Sequence, residues 1–188
     1  MLPSPAPLYD GAAHRTGDIN AEAAVDPNTG AIYVVWQDSS FGPRSSIALS
    51  RSTDGGLTWS APIKVNATPT SIPLGNQQAF TPMVSVRNDS TVAVSYYDFR
   101  NNTAVGGALT DAFVAHCHAS CTSIANWSET RVTATSFDIE DAPVARGYFL
   151  GDYMGLTNVG TSFGALYVTS GSGTTSPPTD VYWSKVGP

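Results

Sequence analysis

The sequence predicts an all-β fold in which four-stranded antiparallel sheets repeat along the chain. Charged residues make up only 13% of the 188, beside 17 Gly and 13 Pro, as expected for short strands joined by many turns. Runs of β-branched and aromatic residues, such as 31–37, end at typical turn residues. The order of these runs then returns downstream, which is the mark of a repeat architecture.

The most informative stretch is Ser-Thr-Asp-Gly-Gly-Leu-Thr-Trp at residues 52–59. The carboxylate of Asp54 can accept hydrogen bonds from the backbone N–H groups of the turn that follows it. Gly55 and Gly56 permit positive φ, and we expect Trp59 to bury its ring beneath the turn. The stretch therefore predicts a rigid hairpin, which is a structural device rather than a chemical one.

A first unit of four strands surrounds this hairpin. The polar loop 38–45 separates its second strand from its third, and the turn Asp26-Pro-Asn-Thr-Gly30 separates its first from its second. The predicted strands are 22–26, 31–37, 47–52 and 60–65.

The same order of strands returns in a second unit and, in part, in a third. Trp127-Ser128 repeats Trp59-Ser60, and the third unit ends before a fourth strand. The predicted strands are 81–86, 91–97, 112–116 and 129–133 in the second unit, and 148–153, 162–169 and 180–186 in the third. We thus predict an N-terminal extension or closing strand over 1–17 and one domain over 18–188, with units at about 18–66, 80–133 and 147–188.

Cys117 and Cys121 occupy, in the second unit, the place that the 52–59 turn has in the first. An intrachain disulfide that braces this turn is the favoured interpretation, and it is typical of a secreted protein. The alternatives are free thiols or a metal cluster with His116 and His118. Because the two histidines lie at strand spacing, they project to one face while Cys117 projects to the other. We predict no metal site and no cofactor.

Composition excludes two classes of partner. The net charge is −6, which argues against a nucleic-acid ligand. No apolar run approaches the length of about 18 residues that a membrane-spanning helix needs. Residues 1–8 are Pro-rich and lack an apolar core, so no secretory signal peptide is predicted.

The spacing S-x-D-x-G-x-T-W, formed by Ser52, Asp54, Gly56, Thr58 and Trp59, resembles the Asp-box. This motif is the repeat signature of the bacterial and fungal sialidase-like BNR/Asp-box propeller family. The resemblance extends to Val-Asp-Pro-Asn-Thr-Gly30, Tyr-Tyr-Asp-Phe-Arg100 and Phe-Leu-Gly-Asp-Tyr153, and it covers roughly residues 18–186. It implies that the units are β-propeller blades, with about three four-stranded antiparallel blades per chain.

The resemblance also implies where the chemistry lies. In a propeller blade the Asp-box turn lies on one face, and ligands bind on the opposite face, among the other loops and the inter-blade segments. Sialidases of this fold clamp a substrate carboxylate with three arginines and use an Asp acid/base and a Tyr nucleophile backed by a Glu. We therefore expect a set of residues to converge on the face opposite Asp54. The catalytic candidates are Glu140, Asp152, Tyr153 and Asp98, with Tyr148 nearby, and the substrate-binding candidates are Arg100, Arg146, Arg44, Asp38 and Asp138.

These features predict a secreted, carbohydrate-active propeller protein that acts as a glycoside hydrolase through its loop-face carboxylates. The alternative is a non-catalytic glycan-binding or scaffold module, because a fold does not determine a function. The Arg-Ile-Pro motif that opens sialidase catalytic domains is absent from the sequence. In addition, Asp38 and Asp98 can be loop caps that accept backbone hydrogen bonds.

The last expectation concerns how the blades close into a complete propeller. Propellers close with about four to eight blades, so three blades leave two sheet flanks open. The missing fourth strand of the third blade could come from the segment 8–16 or from another chain. We predict a homodimer that forms one pseudo-six-bladed propeller, with a fragment of a longer protein as the alternative. Four tryptophans are expected to be mostly in the core: Trp36, Trp59, Trp127 and Trp183.

Overall fold

The chain is built from short β-strands. The computed structural model describes residues 8–9, 12–16, 20–105, 107–171 and 178–187, and these contain no α-helix. Short 3₁₀ turns occur at Leu74–Gln77, Ile124–Asn126 and Ile139–Asp141. The strands, in chain order, are β1 Leu8–Tyr9, β2 Ala12–Arg15, β3 Glu22–Val25, β4 Ile32–Asp38, β5 Ser46–Ser52, β6 Ile63–Lys64, β7 Ala79–Val86, β8 Val92–Asp98, β9 Leu109–Cys117, β10 Trp127–Arg131, β11 Phe137–Asp138, β12 Tyr148–Phe149, β13 Gly155–Val159, β14 Ser162–Ser170 and β15 Thr179–Val186.

Two four-stranded antiparallel sheets follow one another along the chain. Blade 1 has the order β3-β4-β5-β6, and blade 2 has the order β7-β8-β9-β10. β11 adds a short pairing with the start of β9, where Phe137 lies opposite Thr110. Within blade 2 the long central pair β8–β9 runs from Val92 opposite Cys117 to Asp98 opposite Asp111.

Blade 3 has three strands in the described part of the chain, in the order β13-β14-β15. Its first strand is Gly155–Val159, not the predicted 148–153. The predicted segment is interrupted because Gly151 has a φ of 119°, and a strand cannot continue through that conformation. The loop between β14 and β15 includes residues 172–177, which lie outside the described residues.

The N-terminal strands do not complete blade 3. β1 pairs with β2, and β2 runs parallel to β12, with His14 opposite Tyr148 and Arg15 opposite Phe149. The outer edge of β15 has no partner within the described residues. The segment 8–16 is therefore ruled out as the closing strand here, because its backbone hydrogen bonds already join β12.

Every blade has the same two ends. The β3–β4, β5–β6, β7–β8, β9–β10 and β13–β14 connections leave at one end, which we call the turn end because it carries the 52–59 turn. The β4–β5 and β8–β9 loops and the inter-blade segments 65–78 and 132–147 leave at the other, the loop end. Because antiparallel strands reverse direction at each connection, this segregation follows from strand order alone.

The blades stack face to face, and the apolar core lies between them. We call the face of a blade that looks toward the next blade along the chain its forward face, and the opposite face its back face. The forward face of blade 1 meets the back face of blade 2 through Tyr33, Val35, Leu49, Val94, Tyr96 and Phe113. The forward face of blade 2 meets the back face of blade 3 through Ala93, Val114, Phe163, Ala165 and Val186.

The four tryptophans differ in burial. Trp36 is buried, and Trp127 is partly buried against the core between blades 1 and 2. Trp59 is 45% exposed and Trp183 is 53% exposed. The expectation that Trp59 lies buried is therefore wrong, because its ring is on the back face of blade 1, which no other blade covers.

Hydrogen bonds to Asp54 hold the 52–59 turn together. Asp54 Oδ1 accepts from the Thr58 N–H at 2.9 Å, and Oδ2 accepts from the Thr58 hydroxyl at 2.6 Å. These bonds from Thr58, with one from Ser52, lower the pKa of Asp54 to about 2. Gly55 and Gly56 have φ values of 72° and 91°, as the turn requires. The Trp59 indole N–H donates to the Gly56 carbonyl at 3.0 Å.

A disulfide between Cys117 and Cys121 braces the equivalent turn of blade 2. The Trp127 indole N–H donates to the Cys121 carbonyl at 3.1 Å, as Trp59 does to Gly56 in blade 1. Both sulfur-bearing side chains are buried in the core between blades 1 and 2. The two turns thus share a tryptophan–carbonyl bond and differ in what closes them.

A buried polar junction joins both blades to the N-terminal strand. β7 bulges between Phe80 and Met83, and Thr81 there has a φ of 50°. The Thr81 N–H donates to Gln37 Oε1 at 3.0 Å, and its hydroxyl donates to the Thr16 carbonyl at 2.9 Å. Gln37 Nε2 closes the junction with a bond to the Thr16 hydroxyl at 3.3 Å.

We predict that replacing Cys117 and Cys121 together with serine lowers the free energy of unfolding by about 1–3 kcal/mol, since a short closed loop restrains the unfolded chain only modestly. Urea unfolding of the oxidised protein and the double variant measures this difference. The wild type unfolded under reducing conditions is the matched control and should behave like the variant. Equal stabilities of all three samples would show that the bond does not brace the turn.

Candidate functional site

Asp98 and Arg100 lie at the loop end but form a buried ion pair between blades 1 and 2. Arg100 Nε donates to Asp98 Oδ2 at 2.6 Å, and the Thr68 hydroxyl donates to the same oxygen at 2.5 Å. Burial raises the pKa of Asp98, against the opposing effects of the Arg100 charge and the Thr68 hydrogen bond. Because the Asp98 carboxylate is fully buried and saturated, it does not reach solvent where a substrate would bind.

Glu129 completes this network and was not anticipated from the sequence. Its carboxylate pairs with Arg100 and accepts a hydrogen bond from the Ala67 N–H at 3.1 Å. Arg100 also donates to the Tyr96 hydroxyl at 3.0 Å and lies over the Phe113 ring. Burial raises the pKa of Glu129 to about 7, and burial lowers the pKa of the nearby Lys64. The network joins blade 2 to the inter-blade segment 65–78 through the bonds of Asp98 with Thr68 and of Glu129 with Ala67.

Asp111 forms a second buried pair that sequence reasoning missed. Its carboxylate accepts from Arg131 Nε at 2.8 Å, from the Thr133 hydroxyl at 2.7 Å and from Asn101 Nδ2 at 2.8 Å. A carboxylate at the start of a strand as apolar as β9 must be paired, and that rule was the signal available in the sequence.

Asp38 and Asp138 cap loops. Asp38 accepts from the Ser40 N–H at 2.7 Å and from the Trp36 indole at 2.8 Å, and the Ser40 bonds help to lower its pKa against the effect of burial. Asp138 Oδ1 accepts from the N–H groups of Ala108 at 2.8 Å and Glu140 at 2.9 Å. Their acceptors are thus engaged with backbone, as the loop-cap alternative requires.

Glu140 and Asp152 each contact a residue of β2 at the loop end. His14 Nε2 lies 3.6 Å from Glu140 Oε1, and Arg15 Nη2 donates to Asp152 Oδ2 at 2.9 Å. The Glu140 and Asp152 side chains are 24% and 25% exposed, so both carboxylates reach solvent. We call these four residues the carboxylate pair and its β2 partners.

Aromatic rings support the two β2 partners. The buried His14 ring lies 5.3 Å from Phe99 and 5.8 Å from Tyr148, measured between centroids. The Arg15 guanidinium lies 4.1 Å above the Phe149 ring. Sequence reasoning missed both partners, because a parallel pairing of β2 with a segment more than 130 residues away leaves no local pattern.

Three further candidates are accessible or unpaired. Arg146 and Tyr153 are exposed, and Arg146 makes no ion pair with any described residue. The Nε of Arg44 is buried and has no hydrogen-bond partner in the described structure. Of the predicted set, the structure therefore brings Glu140 and Asp152 to one strand, places Asp98 and Arg100 in the blade 1–blade 2 interface, and puts Asp54 at the opposite end.

Within the described ranges, no group of three His, Cys, Asp or Glu side chains is arranged to hold a metal ion. None of the described helical turns has the length and apolar character needed to cross a membrane.

We predict that the stability contributed by Glu129 falls as pH rises. Its ordinary pKa of 4.5 applies to the unfolded chain, and burial raises the folded value to about 7. Between these values the folded protein binds the proton more tightly, so raising the pH from about 5 to 8 should cost about 1–3 kcal/mol of unfolding free energy, reduced by the Arg100 contact.

Glu129→Gln tests this, because the amide keeps an acceptor for Ala67 and cannot ionise. Urea unfolding across this pH range should show the wild type losing stability relative to Glu129→Gln. Glu22→Gln, the same change of side chain on β3, serves as the control for the substitution itself. A wild-type advantage that grows with pH would mean that the Arg100 charge outweighs burial.

Comparisons with known proteins bear on the fold. No protein-family model and no curated protein sequence matches the chain. An α-L-arabinanase of Penicillium chrysogenum, solved with arabinobiose, has 12% identity and a TM-score of 0.56, over 89% of this chain and 45% of its own. The α-L-arabinofuranosidase of Fusarium graminearum, also solved with arabinobiose, has 14% identity and a TM-score of 0.50, over 96% and 48%.

A Hadza microbial sialidase resembles the chain as well, with 13% identity and a TM-score of 0.51, over 89% of this chain and 32% of its own. The chain thus spans less than half the length of each of these proteins. The sequence-based prediction of an all-β propeller is confirmed by these likenesses. The chain has a sialidase-like β-propeller fold.

Proposed function

We propose that this protein is a glycoside hydrolase whose reacting groups are Glu140 and Asp152 at the loop end. One observation carries the proposal: adjacent residues of β2, His14 and Arg15, each contact a different carboxylate, and both carboxylates reach solvent. A pair of carboxyl groups on either side of a glycosidic bond is the usual requirement for its hydrolysis.

The surroundings of the two carboxylates suit different roles. Asp152 carries a charge that is paired with Arg15, and it would stabilise the positive charge that develops at the anomeric carbon. Glu140 lies against the buried His14 and would give its proton to the departing glycosidic oxygen, before water completes the hydrolysis. Asp98, a catalytic candidate from the sequence, is left out because it is buried and its oxygens are already hydrogen-bonded.

Further groups that could bind a ligand lie at the loop end. The exposed Arg146 guanidinium has no ion-pair partner within the described residues, and the buried Nε of Arg44 has no hydrogen-bond partner there. Guanidinium groups suit both sugar hydroxyls and carboxylates, because they present several donors in a fixed plane. The exposed Tyr153 ring adds a surface against which a sugar can stack.

The comparisons support carbohydrate as the ligand class. The arabinanase and the arabinofuranosidase were solved with arabinobiose, and the third protein of similar fold is a sialidase. Because identities are 12–14%, this support concerns the fold and the class of ligand, not the particular sugar.

We predict that Glu140→Gln and Asp152→Asn each lower the hydrolysis of aryl-glycosides at least about 100-fold, since each removes a group that acts in the transition state. A panel containing arabinofuranosides and sialosides measures the activity, and circular dichroism checks the fold. Asp89→Asn, at the turn end, is the matched control and should keep wild-type rates. Glycan binding on an array without hydrolysis of any substrate would instead establish the non-catalytic binding module.

We propose further that the protein works outside the cytoplasm. The Cys117–Cys121 disulfide supports this, since such bonds persist in oxidising compartments. Alkylating thiols in the source cells before lysis tests the idea. Free thiols at both positions in the natural protein would refute it.

A homodimer would complete the propeller. The back face of blade 1 holds an open apolar cavity of about 390 Å³ between Val34, Trp36, Trp59 and Pro62. The forward face of blade 3 presents Leu166 and Trp183, which lie opposite each other on β14 and β15, and the exposed Val181. These two faces are the counterparts that pack together at each blade junction within the chain.

A second copy of this chain is therefore the partner that we propose for both faces. A two-fold axis that coincides with the central axis of the propeller would place blade 3 of each copy on blade 1 of the other. One arrangement would then cover both exposed faces. Burying Trp183 and Leu166 against Trp59 and Trp36 would repeat the packing already present between successive blades.

We predict that the protein sediments at micromolar concentration as a dimer of 19.7 kDa chains. Trp183→Glu should yield monomers, because it places a charge in the apolar junction. Leu57→Glu, an equally drastic change at an exposed position of the 52–59 turn, should leave the dimer intact. A wild type that sediments as a monomer would end this proposal without affecting the assignment of the carboxylate pair.

A further inference from the structure

A second pocket opens between blades 2 and 3. It has a volume of about 420 Å³, and its walls are the segment 133–138 and the end of β14, with Tyr182 from β15. Asp138 lies in its wall two residues before Glu140, and the Asp141 carboxylate approaches Gly171 on its other side. The pocket therefore borders the 3₁₀ turn that carries Glu140.

An aromatic platform forms one side of the pocket. The Tyr182 ring is 46% exposed and stacks on Tyr167, with centroids 6.0 Å apart and planes inclined by 19°. Tyr167 is itself fixed, because its hydroxyl donates to the Val132 carbonyl at 2.9 Å. A flat ring held in place with one face toward solvent is suited to stacking against the C–H face of a sugar.

Hydroxyl groups line the facing walls. Those of Thr133 and Ser136 are bound to Asp111, and that of Ser170 donates to the Asp138 carbonyl at 2.5 Å. The hydroxyls of Thr135 and Thr169 make no hydrogen bond within the described part of the chain and remain available to a ligand.

The charge of the lining points to a neutral ligand. Asp138 is its one charged residue among those described, and two backbone N–H groups already occupy its Oδ1. Since no lysine or arginine lines the described walls, nothing there would clamp the carboxylate of an acidic sugar.

We infer that this pocket binds a neutral sugar residue, stacked on Tyr182 and hydrogen-bonded by Thr135 and Thr169. The inference rests on the proposed carbohydrate function for its ligand class. It adds that the ligand is an oligosaccharide, with one residue at the carboxylate pair and another in this pocket. A monosaccharide glycoside would occupy only the carboxylate pair.

Isothermal titration with neutral oligosaccharides of increasing length tests the inference, with a sialylated oligosaccharide as the acidic comparison. Tyr182→Ala should weaken binding of the longer neutral ligands about tenfold, since a stacking surface is lost. Thr135→Ala and Thr169→Ala should each weaken it about threefold. Tyr182→Phe keeps the ring and should bind like the wild type, which separates stacking from a change in fold.

The outcomes separate this inference from the proposed catalysis. Tyr182→Ala should hydrolyse aryl-monosaccharides at the wild-type rate. If it also binds the longer neutral ligands as tightly as the wild type, the pocket assignment is wrong while the catalytic proposal stands. Binding that depends on Tyr182 without any hydrolysis would support the pocket and overturn catalysis. A wild type that binds none of these ligands would overturn both.

Discussion

Each blade of this protein is apolar on both faces, and that single constraint organises the molecule. A sheet of this kind must be covered twice, so the blades stack and bury Tyr33, Tyr96 and Phe113 at one junction and Phe163 at the next. Stacking buries the faces of the blades in the apolar core, whereas the loops at the ends of the strands stay exposed to solvent. Residues that could bind a ligand are therefore expected at the two ends of the blades. The order of the strands determines which connections lie at each end.

The same stacking explains why several conspicuous charges are structural. Asp98 and Asp111 lie opposite each other on the face of blade 2 that blade 1 covers, so both are removed from water. A buried carboxylate must be paired, and Arg100 and Arg131 meet that need. Asp98 was a catalytic candidate because it precedes a loop, but here it belongs to the polar rim of the junction between blades. Glu140 and Asp152 differ because their side chains keep contact with solvent.

Local patterns predicted the blades well where the strands were self-contained. The run of β-branched and aromatic residues at 31–37 and the turn around Asp54 identified blade 1, and the repeated Trp-Ser pair aligned blade 2 with it. Blade 3 was displaced because Tyr148-Phe149 has strand-like residues and does form a strand, but with a distant partner. The β2 contacts to Glu140 and Asp152 depend on that parallel pairing, and no spacing in the sequence encodes it. Asp98 and Glu140 had seemed equivalent from their loop positions in the sequence. They differ in burial, because Asp98 is fully buried and Glu140 is not.

The junction at Thr81 has a consequence for the geometry of the carboxylate pair. Thr16 directly follows the two residues that contact Glu140 and Asp152, and it is tied to blade 1 through Gln37 and to blade 2 through Thr81. The position of β2 is thus fixed by the packing of blade 1 against blade 2. A small change in the angle between the blades would be transmitted along three residues to both carboxylates at once. The packing of blade 1 against blade 2 and the positions of the two carboxylates are therefore coupled in this molecule.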